Sequence, residues 1–182
     1  MKSFLELEYN EKRKNEFLSR FKNIMNVPKI QKVVLSGGIA SLAKANKKNV
    51  DFIKQEITQI CNQKPILVLA KQSCDGFNIK KNDINAFKVT LRGTNMYEFL
   101  GKLIHFVLPR TRNFFGLNID SLDKRGNFNF GISDISCFSE IDKKHLNLNF
   151  GFHINITTTA SNKEDALILL TGLGFPLRKV MK

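Results

Sequence analysis

The sequence predicts an α+β fold: two layers, with a mostly antiparallel sheet, helices on one face and an open, basic second face. Two observations carry this. The segments around Val33, Val89, Phe130 and Ile154 alternate with a period of two, apolar on one side and Lys, Thr, Arg, Asn, His or Ser on the other. Between them lie stretches whose apolar residues follow a helical period, enough to cover only the apolar side. The polar side carries almost no acid, whereas an indifferent solvent face mixes both signs.

In chain order, residues 4 to 21 place Phe4, Leu7, Phe17, Leu18 and Phe21 around a charged middle, a solvated helix with a short sticky face and hence an arm, 1–26, ahead of a core at 27–182. Val27-Pro28-Lys29 breaks it. Ile30 to Ser36 reads as a strand, with Val33 and Leu35 opposing Lys32, Val34 and Ser36. Gly37-Gly38 ends that strand as a tight turn; without GK[ST] or a full GxGxxG it makes no nucleotide site. Asn46 to Cys61 sets Val50, Ile53, Ile57 and Ile60 at helical spacing. After the turn Asn62-Gln63-Lys64-Pro65, the unbroken apolar run Ile66 to Ala70 predicts a central strand.

Lys71 to Asn85 is polar, with Lys71, Lys80 and Lys81, and with Phe77 and Ile79 as its large apolar residues. Loops this long inside a compact domain are functional or disordered, and the lysines with a central Phe77 favour function. The most informative stretch runs from Phe87 to Gly116. Phe87, Val89 and Leu91 alternate with Lys88, Thr90 and Arg92, and Gly93 ends the strand. Asn95 with Glu98 matches a capping box opening an almost wholly apolar helix, whose polar stripe is Glu98, Lys102 and His105 and which stops before Pro109. Arg110, Arg112, Phe114 and Phe115 then put two guanidiniums and two rings into a short loop, a composition suited to phosphates and bases.

Leu117 to Gly126 reads as loop, with Lys124 and Arg125 adding charge; Phe128, Phe130 and Ile132 mark a strand; Cys137 to Asn149 is irregular. In Phe150 to Thr159, Phe152, Ile154 and Ile156 face one way and His153, Asn155 and Thr157 the other. Ser161 with Glu164 matches a second capping box before an apolar helix stopped by Gly174 and Pro176.

Charge narrows the class of partner. Lys and Arg outnumber Asp and Glu by 29 to 16 in 182 residues, a formal charge of +13, more than the roughly 2 to 8 that solubility needs on a small domain. A polyanion is implied, and nucleic acid is favoured over a membrane surface, since no apolar run approaches the ~20 residues that span a bilayer. At this length one domain, 1–182, accommodates the chain. Cys61, Cys74 and Cys137 are odd in number and lack a CxxC pair, which argues for a reducing compartment without a zinc site. His105, His145 and His153 stand in no catalytic motif, and Asp120, Asp123 and Asp134 read as turn chemistry. The chain is therefore expected to be no enzyme and to need no cofactor or metal. The alternative is a free-standing basic RNA-binding or RNA-processing protein.

Several blocks resemble a known family. Gln63-Lys64-Pro65, Ala70-Lys71, Gly76-Phe77, KVTLRG at 88–93, Leu108-Pro109-Arg110 with Arg112, Arg125-Gly126-Asn127-Phe128, Thr157-Thr158-Thr159-Ala160 and Gly174-Phe175-Pro176 fall in the order found in ribosomal protein five of the large subunit. The resemblance spans roughly residues 22 to 178. It implies a structural protein of the central protuberance that binds 5S rRNA and large-subunit rRNA. It also implies contact with P-site tRNA, with neighbouring central-protuberance proteins, and with protein thirteen of the small-subunit head across an intersubunit bridge. Carried onto this sequence, rRNA binding falls to Gln63, Lys64, Lys88, Thr90, Arg92, Arg110, Arg112, Asn155 and Thr157. The tRNA-contacting loop supplies Lys71, Ser73, Phe77, Lys80 and Lys81, and the bridge falls in Glu140 to Asn147, with Glu140, Asp142, Lys143 and Lys144.

The sequence also departs from the family. Phe115 stands where a basic residue is usual, Gln72 replaces the second basic residue of the tRNA loop, and Asp75 adds an acid there. The bridge element reads Phe138-Ser139-Glu140-Ile141-Asp142-Lys143-Lys144-His145 instead of an acid-rich run. Such drift, with abundant Asn, Lys, Ile and Phe and no Trp, is the mark of an AT-rich genome and implies a mitochondrial ribosome, with a bacterial cytoplasm or a plastid as alternatives.

Overall fold

The computed structural model describes residues 3–12, 21, 23–112, 114–141 and 150–178. The strands are Ile30–Gly38 (β1), Ile66–Leu69 (β2), Ile84–Leu91 (β3), Leu117–Asn118 (β4), Phe128–Ile132 (β5), Phe152–Thr158 (β6) and Leu177–Arg178 (β7). The longer helices are Phe4–Lys12 (α1), Ala40–Ala45 (α2), Lys47–Cys61 (α3), Gly93–Lys102 (α4) and Lys163–Gly172 (α5). A mostly antiparallel five-stranded sheet has the order β2-β3-β1-β6-β5, and β4 pairs with β7 in parallel. The α+β class is as the sequence predicts. By packing, the chain divides into two units, one of residues 1–33, 92–130 and 155–182, the other of 34–91 and 131–154.

In the second unit the sheet is ordered by aromatic packing. Phe87 is fully buried, its ring 6.1 Å from Phe150 and 6.4 Å from Phe152, both edge-on, and Phe138 lies 5.8 Å from Phe152. Edge-to-face contact suits the ring quadrupoles and adds to the area buried. Helix α3 buries Val50, Ile53, Ile57 and Ile60, the stripe its periodicity predicts, and Asn46 caps it by accepting from the Lys48 amide at 3.0 Å. Gly37 and Gly38 end β1 as expected, but as its last two strand residues and not as a tight turn. Both lie inside β1 and neither has a positive φ. Gly37 is required for space, because a Cβ there would stand 2.6 Å from Cε1 of Phe87.

The expectation that Ile66 to Ala70 forms a central strand is also overturned. β2 is an edge strand with Ile66, Val68 and Leu69 exposed. An apolar run looks the same whether it is buried on both faces or left open at a sheet edge, and periodicity cannot separate the two.

The first unit is built on a longer helical run. Gly93, at φ +58, swings the chain from the extended Arg92 directly into α4. The helix therefore starts before Asn95, and the expected Asn95–Glu98 capping box does not form: the cap position is Arg92, without a side-chain cap. After Lys102 the helix widens into a π turn, Leu103–Val107, closed by the Leu108 amide donating to the Leu103 carbonyl. The extra residue rotates the register, so Phe106, buried by a 3.6-residue period, is instead 63 % exposed. The same widening explains why the run passes the predicted stop and continues through Leu108–Arg110. Pro109 sits in a new first turn, where its missing N–H costs nothing.

Helix α1 buries Leu5 and Tyr9, while the expected sticky residues Phe4 and Leu7 are exposed. The Tyr9 hydroxyl donates to the Pro28 carbonyl at 2.7 Å, and its ring stacks 6.2 Å from Tyr97. Lys12 donates to the Gly172 carbonyl at 2.7 Å, a cation at the negative end of α5. The rest of the expected arm face, Phe17 and Leu18, lies outside the described residues. Helix α5 begins after Asn162, with no side-chain cap, so the Ser161–Glu164 box is not formed either. Glu164 and Asp165 nevertheless occupy its first turn, where acid favours the dipole, and the chain turns away at Gly174 with φ +86.

The turn before β5 is held by Asp123. Its carboxylate accepts from the amides of Arg125 and Asn127 at 2.9 and 2.7 Å and from Nδ2 of Asn127 at 2.8 Å. Slight burial pulls the Asp123 carboxyl upward, but these hydrogen bonds and the Arg125 charge outweigh it and hold the group below its ordinary value of 3.8.

Two outcomes are expected. At Gly151 a Cβ would meet the Ile132 carbonyl oxygen at 2.6 Å, whereas at Gly38 it would meet nothing within 4 Å. Gly151→Ala should lower the unfolding free energy by about 1–3 kcal/mol and Gly38→Ala by much less, read from urea titrations. For Asp123 the folded pKa is depressed, so its contribution is complete above the ordinary value of 3.8 and is lost as pH falls through the lower folded value. Wild type and Asp123→Ala should differ in stability at neutral pH and converge under strong acid.

Candidate nucleic-acid interface

In the second unit, strand pairing assembles a basic surface. β2 and β3 are antiparallel, with Ile66 opposite Lys88. The helix-ending residue Asn62 adopts a left-handed conformation at φ +54, and the turn it starts brings Gln63 back to β3, where Nε2 donates to the Thr90 carbonyl at 3.2 Å. Gln63 and Lys64, remote in sequence from Lys88 and Thr90, thus share one edge of the sheet with them. Alternation sets the side chains: Phe87, Val89 and Leu91 are buried, Lys88 is exposed and Thr90 half-buried. Exposed Ile66 beside Lys88 makes the surface amphipathic, an aliphatic floor next to a cation.

The expected loop from Lys71 to Asn85 ends at Asp83, where β3 follows, and it is held by its own hydrogen bonds. Cys74 and Ile79 exchange backbone hydrogen bonds at 2.8 and 3.1 Å, Ala70 and Asp83 are joined at 2.8 Å, and the Asp83 carboxylate accepts from the Lys80 amide at 2.9 Å. Asn78 and Asn82 take the left-handed corners, at φ +51 and +70. From α2, an element periodicity did not reveal, Lys44 donates to the Phe77 carbonyl at 2.7 Å. Lys71, Ser73, Phe77, Lys80 and Lys81 are all exposed on this frame, Phe77 most conspicuously at 76 %. Of the bridge residues, Glu140 is half-buried and its carboxylate accepts from the Ser139 hydroxyl at 3.2 Å. Asp142, Lys143 and Lys144 lie outside the described residues.

In the first unit Arg92, Arg110 and Arg112 are exposed, and Asn155 and Thr157 are half-buried on the side of β6 opposite Ile154 and Ile156. They do not form one cluster. Arg92 precedes the helical run that ends at Arg110, so the two guanidinium-bearing backbones stand roughly 25 Å apart at the ordinary helical rise. Next to Thr157, Thr158 is buried, and its hydroxyl donates to the Gly126 carbonyl at 2.7 Å, which fixes the Lys124–Arg125 turn against the sheet end. The pairing of Arg178 with Phe115, guanidinium carbon 5.8 Å from the ring centre, was not foreseen, because 63 residues separate them and the contact exists only through β4 and β7. Among the described residues no group of three or more His, Cys, Asp or Glu gathers as a metal site, and no helix is long and apolar enough to cross a membrane.

The arrangement offers dispersed cations, hydrogen-bonding side chains and exposed rings, the inventory of a surface for folded RNA. Comparison with known proteins agrees. The family model described as ribosomal protein L5 matches residues 23–80, and that described as the ribosomal L5P family C-terminus matches residues 85–177. The chain is 44% identical over 156 residues to the large ribosomal subunit protein uL5 of Borreliella afzelii, covering 86% of this chain and 85% of that one. It is 41% identical over 181 residues to the same-named protein of Lactobacillus helveticus, covering 98% and 100%, and 41% identical over 177 residues to that of Christiangramia forsetii, covering 96% of each. A match that spans both halves of the sequence, at this identity and nearly full length, means that the chain belongs to the ribosomal protein L5 family and is a non-enzymatic, structural constituent of the large ribosomal subunit.

Proposed function

We propose that this chain binds 5S rRNA, in the second unit through the sheet edge formed by Gln63, Lys64, Lys88 and Thr90 and in the first unit through Arg92, Asn155 and Thr157, and so helps to anchor that RNA in the central protuberance. The observation that carries the reading is the β2–β3 register, which sets Lys88 outward opposite Ile66 and ties Gln63 to Thr90. An A-form helix is read by shape, phosphate and 2′-hydroxyl, which calls for spaced cations and hydrogen-bonding groups on a firm surface. Arg110 and Arg112 serve large-subunit rRNA from the far end of the helical run. The hydrogen-bonded loop carrying Lys71, Ser73, Phe77, Lys80 and Lys81 contacts P-site tRNA; a preformed loop loses little conformational entropy on contact. The segment beginning at Glu140 takes part in the bridge to protein thirteen of the small-subunit head, and neighbouring central-protuberance proteins pack around the whole.

The relatives in Borreliella, Lactobacillus and Christiangramia are bacterial, which supports a bacterial cytoplasmic ribosome over the mitochondrial or plastid readings. A composition rich in Asn, Lys, Ile and Phe fits an AT-rich bacterial genome equally well.

Arg92→Ala and Lys88→Ala, each removing one phosphate contact, should weaken binding to 5S rRNA by roughly tenfold at low salt. Each should also flatten the slope of log K against log salt by about 0.7 to 0.9. Filter binding across a salt series checks both values, and unchanged affinity and slope in both variants would remove the sheet edge from the RNA surface. In a density gradient of native lysate the chain should travel with large subunits and 5S rRNA. Confinement to the free-protein fractions would contradict assembly into the subunit, and migration with subunits lacking 5S rRNA would contradict the anchoring role.

A further inference from the structure

Phe115 is an aromatic ring left 73 % exposed in a strongly basic chain. A single exposed apolar side chain is ordinary on any protein. This one differs in being held in place beside a cation. The Gly116 backbone turns at φ +99, the Leu117 amide donates to the Pro176 carbonyl at 2.8 Å, and Leu117 and Asn118 pair with Leu177 and Arg178. Those ties set the two segments side by side, so that the Arg178 guanidinium lies 5.8 Å from the centre of the Phe115 ring. At Gly116 a Cβ would meet that of Arg178 at 3.0 Å, which shows how closely the backbones approach. Arg110, the last residue of the helical run, and Arg112, just past it, are both exposed and lie a few residues upstream.

The result is a flat apolar face with a fixed cation against it. A guanidinium over a ring is satisfied by the quadrupole without losing its N–H donors, and those remain available to a phosphate. Most of the ring surface stays open to a second planar group. Nucleobases meet that description, since each has a π-face and carries a phosphate close by on its sugar. A paired, stacked base does not, because its faces are already covered.

We propose that Phe115 and Arg178 form a stacking platform for one unpaired base of ribosomal RNA, with the ring taking the base and Arg178 a flanking phosphate. The proposal rests on the reading of this chain as an rRNA-binding constituent of the large subunit, but it concerns residues other than those of the Lys88 sheet edge.

The test uses the full chain and two probes in separate filter-binding arms, 5S rRNA and large-subunit rRNA. Loss of a base–aromatic stack should weaken binding of Phe115→Leu by about 5- to 150-fold to whichever RNA supplies the base, with the salt slope unchanged. Phe115→Trp, which keeps a π-face, should retain wild-type affinity, and Arg178→Ala should flatten the slope by about 0.7. Because the ring is exposed, thermal unfolding of Phe115→Leu should match wild type. The platform is overturned if Phe115→Leu binds both RNAs as wild type does, or if Phe115→Trp is as weak as Phe115→Leu. A wild-type chain that binds neither RNA would instead overturn the parent reading, and this one with it. Retained wild-type binding with a silent Phe115→Leu overturns the platform alone.

Discussion

The alternation of β3 governs most of its surroundings. Phe87, Val89 and Leu91 must all point inward once one of them does, because side chains in a strand alternate strictly, and this forces Lys88 and Thr90 outward. A one-residue slip would bury a lysine and expose three large apolar groups. Register is therefore fixed by the hydrophobic term, and the functional face is its by-product. The same packing reaches back to Gly37, where the Phe87 ring leaves no room for a side chain, and forward through β2, whose pairing with β3 delivers Gln63 to the Thr90 carbonyl.

Beyond β3 the chain becomes a long helical lever. Gly93 turns it within a single residue, and the helical run then carries it to Arg110. The π turn at Leu103–Val107 both admits Pro109 and pushes Phe106 outward. Positive charge is thereby distributed along the chain instead of concentrated in a pocket. For a partner that is itself an extended polyanion, dispersed contacts fix orientation, and each contributes modestly through counterion release. A protein of this kind has no single residue on which its function hangs, in contrast to an enzyme's nucleophile.

The projecting loop shows a related economy. A stretch of mostly polar residues from 71 to 83 would ordinarily be costly to order. Here a backbone bridge, two left-handed asparagines, the Asp83 carboxylate and Lys44 hold it in place, and Phe77 is presented at its exposed surface. Rigidity supplied by backbone and turn chemistry leaves the lysine side chains unencumbered for a partner.

By itself the sequence determined the α+β class, the alternating strands at Val33, Val89, Phe130 and Ile154, the stripe of α3 and the family, because alternation, periodicity and motif blocks are local and written directly in residue order. It misjudged the starts of α4 and α5, since a left-handed Gly93 and the actual entry at Asn162 set those boundaries and not the nearest Asn or Ser three residues from a Glu. It also placed β2 at the centre and Phe106 inside, because strand order and a π turn change burial without changing composition. Only the tertiary structure decided that Gln63 meets Thr90, that Arg92 and Arg110 stand apart, and that Arg178 lies over Phe115. Those are contacts or separations set by pairing and helix length between residues distant in the chain, and no local pattern encodes them.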